Sequence, residues 1–128
     1  MDFDTNDCWT LLSISASGRK GGNLRTIIMV ADYINHSIPN HGDLFASMRK
    51  LHKAGLISQK DDLFMPTRRM ALAYSKIRKL KRTYLKEWDD IEAFLKGYKV
   101  PKKGPGTRLR GLTRKAFEKA VDDHINRR

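Results

Sequence analysis

The chain has 128 residues, 40% of them apolar, and a formal charge of +12; this suits one compact domain with a real core and excludes wholesale disorder. Its single cysteine, Cys8, excludes a disulfide framework and cysteine-rich zinc modules, and points to a reducing cytoplasm. No apolar run approaches the ~20 residues of a membrane span, and the acidic start is unlike a secretory leader.

In chain order, Asp4 to Ile14 predicts a first helix, capped by Thr5 or Asn6, with Trp9, Leu12 and Leu11 as its apolar stripe and Cys8 buried on it. Ser13 through Gly22 is a small-residue loop. It lacks the spacing of a phosphate-binding P-loop, so a plain interhelix connection is the better reading. Asn23 caps a second helix whose Leu24, Ile27, Ile28, Ala31 and Ile34 recur at three and four. Pro39 forces Ile38 toward an extended conformation, which makes Ile38 a candidate short strand.

Asn40 opens a third helix, with Asp43 in its first turn, Leu44, Met48 and Leu51 on one face, and Gly55 as the left-handed stop. His41, Ser47, Arg49, Lys50 and Lys53 fall off that apolar stripe and are the candidates to meet a ligand. Residues 56–60 and 63–65 read as two strands turning at Asp61-Asp62. Helix, turn, helix, hairpin is the order of a winged helix-turn-helix domain, here over residues 1–74, whose usual work is to place one helix in the DNA major groove. The acidic tip is ill suited to phosphates; Lys60, Arg68 and Arg69 beside it partly offset it.

From Thr67 to Gly97 the apolar positions Met70, Ala73 or Tyr74, Ile77, Leu80 or Lys81, Tyr84, Trp88, Ile91 and Leu95 keep a period near 3.5 residues. This predicts one long amphipathic helix over 67–97 that pairs with a second copy of the chain, or alternatively folds back onto the first helix. Arg68 to Lys86 carries eight basic and no acidic residues, and Glu87 to Glu92 carries four acids, so antiparallel pairing would align opposite charges. Residues 98–111, with Lys102, Lys103, Arg108 and Arg110 and no acids, predict a flexible basic linker. A short last helix follows from Leu112 to Ile125, capped by Thr113, docking onto the body or onto a partner.

The charge is unevenly placed. Residues 1–67 hold seven Lys/Arg and seven Asp/Glu, whereas residues 68–128 hold nineteen against seven. A polyanionic partner follows from that excess, because counterions released from phosphates favour Lys/Arg clusters. Nothing points to catalysis, a cofactor or a metal. His36, His41, His52 and His124 have no metal-ligand spacing, no nucleophile or nucleotide motif is present, and the carboxylates of Asp89-Asp90 and Asp122-Asp123 diverge on their helices.

The pattern Leu-x-x-Ile-Ile-x-x-Ala-Asp-Tyr-Ile-Asn-His-x-Ile-Pro, followed by Leu-x-x-x-Met-Arg-Lys-Leu-x-x-Ala-Gly-Leu-Ile, resembles bacterial winged-helix transcriptional regulators of the MarR/PadR type over about residues 9–74. The resemblance implies a homodimer that reads double-stranded DNA, with 40–54 as recognition helix and 58–65 as wing. The expected site is then His41, Ser47, Arg49, Lys50 and Lys53 on that helix, with Lys60, Arg68, Arg69, Lys102, Lys103, Arg108 and Arg110 holding phosphates. The neutral charge of residues 1–67 and the acidic wing tip depart from a strongly DNA-binding member. They leave a rival reading, a winged-helix interaction module whose basic tail binds an acidic protein.

Overall fold

In a computed structural model that describes Met1–Asn126, six helices surround and extend one antiparallel hairpin. The first helix, α1 (Thr5–Ala16), is capped one residue before the expected position. Asp4 accepts from the Asp7 amide at 2.9 Å and Asp7 accepts from the Asp4 amide at 2.8 Å, a reciprocal box that neither Thr5 nor Asn6 can make. The helix also runs past Ile14 into the serines assigned to the loop. There Ser13 and Ser17 donate their hydroxyls to the carbonyls of Trp9 and Ser13, each at 2.7 Å, so these two side chains are satisfied within the helix, whereas the buried Ser15 hydroxyl has no partner among the described residues. Asp7 through Ser15 are buried on all sides, which makes α1 the central element; Cys8 is buried with them.

Helix α2 (Leu24–Asn35) buries the expected stripe and ends at His36 in the left-handed conformation. Helix α3 (His41–Lys53) follows, capped by Asn40, and Gly55, with φ +78°, turns the chain out of it. Strands β1 (Ile57–Lys60) and β2 (Leu63–Pro66) pair from Ile57↔Pro66 to Lys60↔Leu63 across Asp61-Asp62. A third short stretch does join this hairpin, but it is Gly22 and not Ile38. The Gly22 amide donates to the Phe64 carbonyl at 3.0 Å and the Phe64 amide donates to the Gly22 carbonyl at 2.8 Å. At neighbouring Gly21, a Cβ would meet the Phe64 carbonyl oxygen at 2.7 Å, so the approach needs glycine there. Ile38 is half-buried against the core without strand pairing.

The single helix expected over 67–97 is two: α4 (Arg68–Lys79) and α5 (Tyr84–Lys96), separated by a turn in which Lys81 takes a left-handed φ of 52°. Folding back lets α5 cover α1. Trp88 stacks on Trp9 with ring centroids 6.2 Å apart, and Ile91 and Leu95 are buried beside it. Thr83 caps the new start, accepting from the Lys86 amide. The bend also closes a polar lock: Glu87, fully buried, accepts from Tyr74 Oη at 2.6 Å and from Arg78 Nη1 at 3.0 Å. The period near 3.5 thus does mark one apolar face, but its Met70, Tyr74, Ile91 and Leu95 are buried within the chain, while Leu80 at the turn stays exposed. Residues 98–113 contain no helix or strand, and α6 (Arg114–Ile125), capped by Thr113, packs on α2. Ala116 and Ala120 lie near the start of α2, while His124 Nε2 sits 2.9 Å from Asp32 Oδ2 toward its end.

Candidate nucleic-acid interface

The core-facing arc of α3 is wider than the apolar spacing suggests. Leu44, Phe45, Ser47, Met48, Leu51 and His52 are all buried, leaving Gly42, Asp43, Ala46, Arg49 and Lys53 exposed. Gly42, Ala46, Arg49 and Lys53 stand at i, i+4, i+7 and i+11, so they form one outward stripe. Its first half is nearly bare of side chain and its second half carries two cations. The Arg49 guanidinium lies over the Phe45 ring at 5.9 Å, which holds it against the helix. Neither Arg49 nor Lys53 has an ion-pair partner among the described residues.

Three of the expected contact residues on α3 are engaged within the fold. Ser47 is 3% exposed and faces inward, where its small size fits the close packing of α3 on α1. Lys50 Nζ is 2.7 Å from Asp7 Oδ2, and the Asp7 side chain is 2% exposed. Lys50 therefore neutralises a buried carboxylate and ties α3 to α1, and its removal would strand that charge. His41 is caught in an aromatic cluster, 5.7 Å from the Phe117 ring of α6 and 6.3 Å from Phe45. Burial also lowers the basicity of His52, which leaves it a neutral packing residue.

The basic segment after α5, expected to be a flexible linker, is fastened to the body at both ends. Tyr98 donates its hydroxyl to the Ala54 carbonyl at 2.7 Å, just past the end of α3, and Arg69 of α4 lies over the Tyr98 ring at 5.6 Å. Farther on, the Gln59 side chain on β1 donates to the Arg110 carbonyl at 3.0 Å and accepts from the Arg110 amide at 2.7 Å. One amide side chain thus pairs with a backbone amide as a neighbouring strand would. Between these fastenings the segment passes along the C-terminal half of α3. Arg49, His52 and Lys53 share a depression of about 360 Å³ with Pro105, Thr107 and Arg108.

The result is a strip of positive charge drawn from two distant stretches of sequence: Arg49 and Lys53 on the helix, and Arg108 on the strap, with Arg110 beyond it at the hairpin. Lys102 and Lys103 are exposed on the strap between Tyr98 and the depression, and Lys60 is exposed at the end of β1. Arg68 is exposed in the first turn of α4. Exposed acids flank this strip at both ends: Asp43 in the first turn of α3, and Asp61 and Asp62 at the hairpin tip. There Arg110 Nη2 reaches the Asp61 carbonyl at 3.5 Å.

The two fasteners, Gln59 and Tyr98, leave no signal in the sequence. Their partners lie 51 and 44 residues away, and neither side chain forms part of a local period. Among the described residues, no group of His, Cys, Asp and Glu could hold a metal ion, and no helix is long and apolar enough to cross a membrane. No protein-family model matches the chain, and no curated protein or solved structure matches it either.

Proposed function

We propose that the chain binds double-stranded DNA as a winged helix-turn-helix regulator, presenting the outward stripe of α3 to the major groove and the strap to the backbone. The observation that carries this reading is the shared depression of Arg49, Lys53 and Arg108, cations without an ion-pair partner among the described residues and brought together from positions up to 59 apart in the chain. Chain order supports it as well: α1, the Gly22 bridge, α2, α3 and the β1–β2 hairpin follow the plan of that fold. Gly42 and Ala46 let the first half of the stripe approach a groove floor closely. Arg49 and Lys53 then reach base edges or phosphates, while Lys102, Lys103, Arg108 and Arg110 neutralise the flanking backbone. The hairpin, with Asp61 and Asp62 at its tip, contributes through Gln59 as an anchor for the strap instead of as a phosphate-binding wing.

Fluorescence-anisotropy titration of duplex DNA over a range of salt tests the assignment. Arg49→Ala with Lys53→Ala is the better helix variant, because Lys50→Ala would also strand Asp7. It is expected to weaken binding by at least roughly tenfold, or about 1.4 kcal/mol. Neutralising Lys102, Lys103, Arg108 and Arg110 together is expected to weaken all duplexes alike. It should also flatten the salt dependence, by about 0.9 in logarithmic slope for each phosphate that is no longer neutralised. Duplex binding that survives both sets of changes would overturn the interface. No binding even at low salt would favour an acidic protein as partner.

A further inference from the structure

We infer that α5 exchanges between two copies of this chain: α4 and α5 straighten into one helix, and α5 seats on α1 of a second copy. The partner is the chain itself, and the surface is the face of α1 that α5 already covers.

The turn joining α4 and α5 carries the argument first. Leu80-Lys81-Arg82-Thr83 contains neither glycine nor proline, the residues that normally enforce a break. Lys81 nevertheless sits at φ 52°, a conformation that a residue with a Cβ disfavours and that straightening would relieve. The apolar period also runs through the turn without a phase change, from Ile77 through Leu80 or Lys81 to Tyr84 and Trp88. The apolar period and the left-handed Lys81 therefore favour a continuous helix, against which stand the Thr83 cap, the Tyr74–Glu87–Arg78 lock and the docking of α5 on α1. That docking is indifferent to which copy supplies α5, because Trp9–Trp88, Ile91, Leu95 and the Tyr74–Glu87–Arg78 lock can all re-form between chains.

The surface left around the turn fits the same partner. Ala73, Ile77, Leu80, Ala93 and Phe94 line an open, mostly apolar groove between α4 and α5. Leu80 is 58% exposed and Leu85 66% exposed at the turn itself. Two straightened helices crossing antiparallel at the turn would bring these leucines together around a two-fold axis. They would also set the eight basic residues of Arg68 to Lys86 beside the four acids of Glu87 to Glu92 of the other copy. An unrelated partner would have to supply both the apolar ridge and this charge order, and a second copy supplies both by symmetry.

Size-exclusion chromatography with light scattering on the full chain, across a concentration series, reads the exchange. A dimer is expected to grow with concentration, and Lys81→Ala, which favours the straight helix, is expected to increase it. Lys81→Gly relieves the turn and disfavours the helix, so it should weaken association at least roughly tenfold, since each exchanged pair carries two turns. To identify which chain supplies α5, Glu92→Cys is oxidised onto Cys8, which shares one surface depression with Glu92 at the α1–α5 boundary. Links between chains in the dimer fraction support exchange. A dimer whose links all lie within single chains would overturn it, as would a monomer at every concentration for both the natural sequence and Lys81→Ala. Lys81 is exposed, so neither variant threatens the fold.

Discussion

The body formed by α1 to α5 and the stretch after it, residues 98–126, are held by different means. The body is organised around α1 and buries Leu11, Leu12, Ile14, Met48, Leu51, Ile91 and many more. In the later stretch, Ala120 is the one buried apolar residue among those described; Val100, Leu109, Leu112, Phe117 and Val121 pack half-buried on the core, and the Tyr98 hydroxyl, the Gln59 clasp and a His124–Asp32 contact add directional fastenings. Apolar burial scales with area and fixes the body cooperatively. Polar clasps contribute little net free energy, but they are directional, and here they determine where strongly charged residues lie. The comparison shows how one chain can place a basic surface accurately without burying any of its cations.

The sharpest way to break the body is a cavity at its centre. Leu51→Ala, at a fully buried site, is expected to cost about 2–5 kcal/mol, read as a lower urea midpoint with an unchanged slope. A smaller effect comes through pH. Burial pushes the Cys8 thiol up to about 11 from 9.0, with Glu92 and Asp7 nearby raising it further, and Tyr74 is moved upward by burial and by its bond to Glu87. Both groups hold their protons more tightly when folded. Their contribution is therefore fully present below about pH 9 and is lost as pH rises toward 11 and beyond. The melting temperature is expected to fall over that range, and Cys8→Ala should flatten the fall. The smallest effect belongs to the later stretch. Phe117→Ala is expected to shift the global midpoint by about 1 kcal/mol or less, while amide exchange across α6 accelerates. Equal effects for Leu51→Ala and Phe117→Ala would erase the distinction between the two regions.

Much of the body is legible in the sequence because its signals are local. Asn23, Asn40 and Gly55 mark helix ends through their own side chains or lack of one, and the stripes of α2 and α3 show which faces turn inward. Expectation and structure part where tertiary packing overrides a local rule. Thr83 is the one local mark of the bend near Lys81, and the apolar period running through it hides that mark; the α1 surface that α5 covers lies some 70 residues earlier. Ile38 has a strand's signal in its proline neighbour, yet the hairpin accepts Gly22, where the backbone can approach most closely. Of the candidate contacts, Arg49 and Lys53 remain on the open face of α3. Ser47 and Lys50 turn inward because small and long polar residues both fit an apolar contact, one by size and the other by pairing with Asp7.

The stacked indoles of Trp9 and Trp88 also give the protein a built-in optical gauge. They are its two tryptophans and lie within 14° of parallel, so their electronic transitions couple, and the coupling depends on α5 resting on α1. A transient opening that frees α5 would abolish the coupling, visible in circular dichroism without any label. An exchange of α5 between chains would preserve it in every copy. The same spectrum therefore separates a helix that has merely come loose from one that has found an equivalent seat elsewhere.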